Sequence, residues 1–201
     1  MYLTILKIKP EKAKICRIFQ NEEQVHIAIM MMVEKNREEE QVLYRTFDSD
    51  DIRNVRIIVQ SKNKLNVSRS MYFDCVKSVC VDERNSLIEK GDIITFDILA
   101  RPTSQPRRAG SPSHKKLIVG KDARINWITN RLAQGGCKAL SVSENESEGK
   151  RLCHRDQKWI NLDGLRYSGQ IKIEDHDSFL KLYETGIGHG KAYGFGMLLL
   201  K

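Results

Sequence analysis

Proline is scarce in this chain: four residues among 201, three of them inside residues 101–116. Regular elements can therefore run uninterrupted on either side of that stretch, which itself marks a break. No run approaches the roughly 18 apolar residues of a membrane span, and Met1-Tyr2-Leu3-Thr4-Ile5 lacks the basic region that precedes a secretory signal, so no membrane partner and a cytoplasmic location are expected. The five cysteines are an odd number and none forms a Cys-x-x-Cys pair, which excludes a closed disulfide framework and favours buried, reduced thiols. Cys153-His154 with Cys75 and Cys80 has the wrong spacing for a zinc ribbon, and neither a structural metal nor a cofactor is expected. Two nucleotide-binding loops are also missing. No window fits G-x-G-x-x-G, and Gly190-Lys191 is preceded by Thr185 where a Walker A loop needs glycine and followed by Ala192 where it needs Ser or Thr.

What the chain does have is positive charge and a closing run of glycines. Thirty-four Lys and Arg against 26 Asp and Glu leave a formal charge of +8, which points first to a polyanionic partner such as nucleic acid. The stretch Gly186-Ile187-Gly188-His189-Gly190-Lys191-Ala192-Tyr193-Gly194-Phe195-Gly196 alternates five glycines with a lysine, a histidine and two aromatics before an apolar tail. Glycine serves positive φ or close approach of another molecule, so the stretch reads either as a tight turn between helix and strand or as a loop built to meet a ligand. Phe195 to Leu200 reads as a buried strand that anchors it.

Along the chain, Tyr2 to Lys9 has the aliphatic, β-branched character of a buried strand. Asn21 with Gln24 three residues on is a capping box, and Val25, Ala28, Ile29, Met32 and Val33 then form one apolar helical stripe. His26 falls at the edge of that stripe. It is either a flanking surface histidine or a proton-transfer group whose pKa the neighbouring Glu22 and Glu23 would raise. Strands follow over Gln41 to Phe47, Val55 to Gln60 and, after an irregular polar stretch over residues 62–90, Ile93 to Ala100. The segment 101–116, with Arg101, Arg107, Arg108, Lys115 and Lys116, reads as a basic linker or as an arm that contacts phosphates. Beyond it come a helix from Asp122 to Gln134 stopped by Gly135-Gly136, a strand over Cys137 to Val142, and a polar basic connection with Lys150, Arg151, Arg155 and Lys158. Strands before Glu174 and a short helix capped by Asp175 or Asp177, with Phe179, Leu180 and Tyr183 facing inward, complete the series. Helices and strands in this order predict an α+β chain of two tandem ferredoxin-like domains with antiparallel sheets, residues 1–105 and 117–201, joined by the linker 106–116.

The start Met1-Tyr2-Leu3-Thr4, the helix with His26, Phe96-Asp97-Ile98-Leu99-Ala100-Arg101-Pro102, the helix Ile125-Asn126-Trp127-Ile128-Thr129-Asn130-Arg131-Leu132 and the closing glycine motif stand in one order and spacing. In these the chain resembles the CasE endoribonucleases of type I-E CRISPR systems, a branch of the RAMP proteins with RRM-like ferredoxin domains. The resemblance implies a metal-independent enzyme that binds the stem-loop of CRISPR repeat RNA. It would cut the precursor once per repeat, leave 5'-hydroxyl and cyclic phosphate ends, and keep its product within a multi-subunit surveillance complex. His26 matches the family's catalytic histidine. Family members commonly carry a tyrosine three residues earlier, where this chain has Glu23. A carboxylate donates no hydrogen bond unless protonated, so Lys191, Lys35 and Glu23 are the candidates for catalytic support. Arg101, Arg107, Arg108, Lys150, Arg151, Arg155 and Lys158, with Gly188, Gly190 and Lys191, are the expected RNA contacts. The alternative is a non-catalytic RNA-binding or assembly subunit on the same fold.

Overall fold

The computed structural model of the chain describes residues 1–9, 21–47, 56–83, 88–104, 116–145, 150–155 and 158–201. The chain divides into two units, each with its own sheet: residues 1–86, 151–162 and 191–194 form the first, and residues 87–150, 163–190 and 195–201 the second.

In the first unit β1 (Tyr2–Ile8), helix α1 (Glu22–Met30), β2 (Leu43–Phe47), β3 (Arg56–Ser61) and β4 (Val76–Glu83) follow in sequence. The sheet order β2-β3-β1-β4, antiparallel throughout, is that of a ferredoxin-like unit. Two single-turn 3-10 helices, Val67–Arg69 and Phe73–Cys75, stand where such a unit has its second helix. Helix α1 begins where the sequence places it: the Asn21 side chain accepts a hydrogen bond from the Glu23 amide. The Gln24 side chain, expected as the second half of the capping box, accepts from the Tyr72 hydroxyl at 3.3 Å. The apolar stripe is buried as its spacing predicts. Val25, Ala28, Ile29, Met32 and Val33 pack with Leu6, Tyr44, Ile57 and Val59, although the helix itself ends at Met30.

The second unit runs β5 (Ile93–Ala100), α2 (Lys121–Gln134), β8 (Cys137–Asn145), β11 (Leu165–Ile173), α3 (His176–Thr185) and β12 (Leu198–Leu200), with a short β6–β7 ribbon at Thr103–Ser104 and Lys116–Leu117. Its strand order β12-β5-β11-β8 repeats the same topology, again antiparallel. Ile128 and Leu132 of α2 and Phe179 and Tyr183 of α3 bury against Phe96, Ile98, Tyr167 and Ile171 of the sheet. Asp175, one of the two expected caps, accepts from the Ser178 amide at 2.8 Å. Strands β9 (Lys150–Arg155) and β10 (Lys158–Asp163) pair as a separate hairpin: β9 lies in the stretch read as polar connection, β10 among the strands expected before Glu174.

The two tandem ferredoxin-like folds are therefore present, but their strands are apportioned differently from the expected 1–105 and 117–201. Ile93 to Ala100 does not complete the first sheet. It is the inner strand of the second, between β11 and β12. The fourth strand of the first sheet is Val76–Glu83, inside the stretch read as irregular. The physical reason lies in burial: Phe96 to Ala100 is buried on both faces, as an inner strand must be, whereas β4 is an edge strand with Val79 and Val81 exposed. Cys75, Cys137 and Cys153 are buried thiols as expected, while Cys80, on that edge, is exposed. No helix among the described residues is long and apolar enough to cross a membrane.

Candidate active site

His26 occupies the middle of α1 and is half-buried. Its Nδ1 atom is turned into the protein and has no hydrogen-bond partner among the described residues. Burial lowers its pKa from the usual 6.5, the Arg37 guanidinium adds to the lowering, and Glu23 opposes it with a smaller effect. The neighbouring carboxylates thus do not raise the imidazole pKa as the sequence suggests, because desolvation and a nearby cation outweigh Glu23. Glu22, at the first turn, points inward and is buried. The neutral form of His26 consequently predominates around neutral pH, the form a general base requires. The imidazole is expected to titrate with its midpoint below 6.5. NMR chemical shifts of its ring protons followed across pH check this, and a midpoint above that value would show that the carboxylate dominates.

The closing glycine motif reaches this helix through its second half. All five of its glycines have positive φ. Ile187 and Phe195 are buried at its base, where the Ile187 amide donates to the Gly196 carbonyl at 2.9 Å and the Gly196 amide to the Leu99 carbonyl at 2.7 Å. The single-turn helix Lys191–Tyr193 packs on α1 within the first unit. Lys191 is half-buried, and its pKa is lowered first by burial and then by Arg37, the same cation that acts on His26. His26 and Lys191 are therefore brought to one electrostatic environment from segments far apart in the chain.

Beneath that pair is a buried polar cluster that the sequence did not single out. Tyr44 on β2 places its hydroxyl 2.9 Å from the Ala192 carbonyl, 3.1 Å from the Glu22 carbonyl and 3.1 Å from Glu22 Oε2. Arg151 on β9 approaches Glu22 Oε1 with Nε at 3.3 Å, an ion-pair distance without the alignment of a hydrogen bond, and donates from Nη2 to the Thr46 carbonyl at 3.0 Å. Cys153, two residues along the same strand, lies with Sγ 3.9 Å from Glu23 Oε2. Burial raises the Tyr44 pKa well above its ordinary value and the Glu22 charge adds to it, so the phenol stays a neutral donor. No pattern in the sequence announces this cluster, because Glu22 reads as an ordinary acidic residue of a first helical turn and Tyr44 as one member of an alternating strand.

The other expected site residues fall into separate places. Glu23 is partly buried on α1, and Lys35 is exposed in the turn after it. In the second unit Arg101 is half-buried: its Nε donates to the Asp163 carbonyl at 2.9 Å, and its guanidinium lies 5.9 Å from the centre of the Phe195 ring. A side chain at Gly190 would press on Arg101 and Phe195, and one at Gly188 on the Trp127 ring, so these two glycines accompany Arg101. Lys158 is exposed on β10 beside the exposed Trp159 and Ile160. Lys150 and Arg155 lie on β9 but their side chains are outside the described residues, as are Arg107 and Arg108 altogether. Arg151, expected at an RNA stem, is occupied by Glu22 and Thr46.

Each unit is an antiparallel ferredoxin-like fold, and within the first unit the glycine motif sets a lysine turn on the first helix of the chain. The model of the CRISPR associated protein family matches residues 1–201, and the chain belongs to that family. It is 20% identical over 212 residues to the CRISPR-associated endoribonuclease Cse3 of Thermus thermophilus, covering 98% of each protein. Among solved structures, Cse3 bound to a 19-nucleotide RNA superposes with a TM-score of 0.87 at 20% identity, covering all of both chains. A chain of a CRISPR RNA-guided surveillance complex in a pre-nicking state matches at a TM-score of 0.73 and 20% identity, over 100% of this chain and 99% of the other. At these identities the structural likeness speaks for the fold.

Proposed function

We propose that this protein is an endoribonuclease that binds the stem-loop of a CRISPR repeat and cuts the precursor RNA beside it. The observation that carries the reading is the juxtaposition on α1 of a half-buried, predominantly neutral imidazole and the Lys191 turn of the glycine motif. It is supported by the relative at full length, an endoribonuclease, and by the like-folded protein that holds RNA.

In the reaction, the ribose 2'-hydroxyl attacks the adjacent phosphorus while His26 takes its proton. The bond from phosphorus to the 5'-oxygen breaks, that oxygen takes a proton from a solvent water to leave as a 5'-hydroxyl opposite a 2',3'-cyclic phosphate, and His26 returns its proton to the solvent. Lys191 offsets the charge that accumulates on the phosphoryl oxygens, a task for a cation held in place before the substrate arrives. No step requires a metal ion, since both proton transfers run between ordinary acids and bases. Arg101, Arg107, Arg108, Lys150, Arg155 and Lys158 hold the RNA by its phosphates, and Gly188 and Gly190, which pack beside Arg101 and Trp127, add to the RNA contacts of the second unit. The protein then keeps its product within a surveillance complex of the kind to which one of its structural neighbours belongs, in the cytoplasm.

The test is incubation of the purified protein with its cognate repeat RNA in excess EDTA. One cut per repeat, with 5'-hydroxyl and cyclic phosphate ends, is expected. Tight binding without a cut would establish the alternative, a non-catalytic RNA-binding subunit, which the presence of Glu23 in place of the family's tyrosine favours. Indifference to repeat RNA would sink both readings.

A further inference from the structure

We propose that Tyr44 is a positioning residue, whose buried hydroxyl holds the Ala192 carbonyl and thereby fixes the Lys191–Tyr193 turn on the helix that carries His26. The proposal rests on the reading of His26 and Lys191 given above. Three acceptors surround one phenolic proton, and the shortest approach, 2.9 Å, is to Ala192. The ring itself is fixed in the core among Val25, Ile29 and Val59. Glu22 supplies the other two acceptors, and its charge is held by Arg151, so the phenol stands between a rigid helix end and the turn.

Gly194 completes the fit. It has φ of +77°, and a Cβ there would come within 3.4 Å of both Glu22 Oε2 and the Tyr44 ring. The chain leaving the turn thus runs directly over the Tyr44–Glu22 pair, where only a glycine passes without strain. Lys191 is tethered one residue before the carbonyl that Tyr44 binds. A long, flexible side chain placed by a turn of this kind loses its electrostatic value when the turn is free to move, because catalysis depends on charge already in position. Tyr44 is 1% exposed, so it cannot itself touch RNA. It is not a displaced version of the phenol that Glu23 replaces.

The experiment compares Tyr44→Phe, Lys191→Ala and the double variant in single-turnover cleavage, together with amide exchange of the RNA-free proteins. Tyr44→Phe is expected to slow cleavage about tenfold while RNA affinity changes less than about twofold, and to speed exchange of the Lys191–Gly194 amides several-fold. In the Lys191→Ala background the same substitution is expected to cost nothing further, since a residue acting through Lys191 has no purchase once that amine is gone. Full additivity of the two losses, or unchanged exchange in that segment, would overturn the proposal. The exchange measurement does not depend on activity. A wild-type protein that fails to cut would end the functional reading and still leave the tether to be judged.

Discussion

Replacement of His26 by alanine is expected to reduce cleavage of repeat RNA by about 10³-fold, within the range that one positioned acid or base contributes, while RNA affinity stays within a few-fold. The separation follows from where the side chain sits. His26 is neutral in the main, so it adds little to the attraction between the protein and the phosphate backbone, which lies with the lysines and arginines. Its ring is half-buried against α1, so its removal does not empty a core position: the buried stripe on that helix consists of Val25, Ala28 and Ile29. What is lost, on the mechanism proposed above, is the proton acceptor for the 2'-hydroxyl. Single-turnover rates with saturating protein, read beside a binding isotherm, separate the two effects. A variant that binds normally but cuts at the wild-type rate would remove His26 from the mechanism.

The second large effect is on stability. Arg151→Ala is expected to destabilise the protein by about 3 kcal/mol, because it removes the guanidinium that faces the buried Glu22 carboxylate. The side chains of the pair are 12% and 4% exposed, too little for water to take over the solvation that Arg151 supplies. A drop in melting temperature of roughly 10 °C is the corresponding signal. The double variant Glu22→Gln with Arg151→Met, which removes both charges, should recover most of the loss. An unchanged melting temperature with a flattened salt dependence of RNA binding would instead return Arg151 to the RNA stem, the place its neighbours on a basic stretch suggest.

Arg151 shows where sequence reading stops. Lys150, Arg151, Arg155 and Lys158 form one positive cluster by composition, but a strand alternates its side chains between two faces, and β9 sends Arg151 with Cys153 toward Glu22 and Glu23. Which face a basic residue takes depends on a partner more than a hundred positions away. The helices, by contrast, were legible almost to the residue. The Asn21 cap, the stripe from Val25, and the Asp175 cap each rest on contacts within a few positions of one another. The two sheets were legible as topology but not as membership. Ile93 to Ala100 reads as a strand by itself, and only pairing with Leu165–Ile173 and Leu198–Leu200 decides to which sheet it belongs. Val76–Glu83 is not legible as a strand because an edge strand exposes polar and apolar residues without a clear alternation. In the proposed site, His26 and Lys191 stand out in the sequence, whereas Tyr44, Glu22 and Arg37 each look ordinary in their own neighbourhood.

The first unit takes in residues 1–86 but also residues 151–162 and 191–194. A ribosome delivering this chain from its N-terminus therefore exposes the sheet and His26 helix long before the lysine turn that completes them. The nascent first unit must wait, with the partners of Glu22 and Tyr44 still unmade, while the whole of α2 and α3 is synthesised. Domains usually fold in order of synthesis. Here the earliest segments of the first unit are completed only after residues 191–194 have followed α2 and α3, so the turn that carries Lys191 joins the His26 helix late.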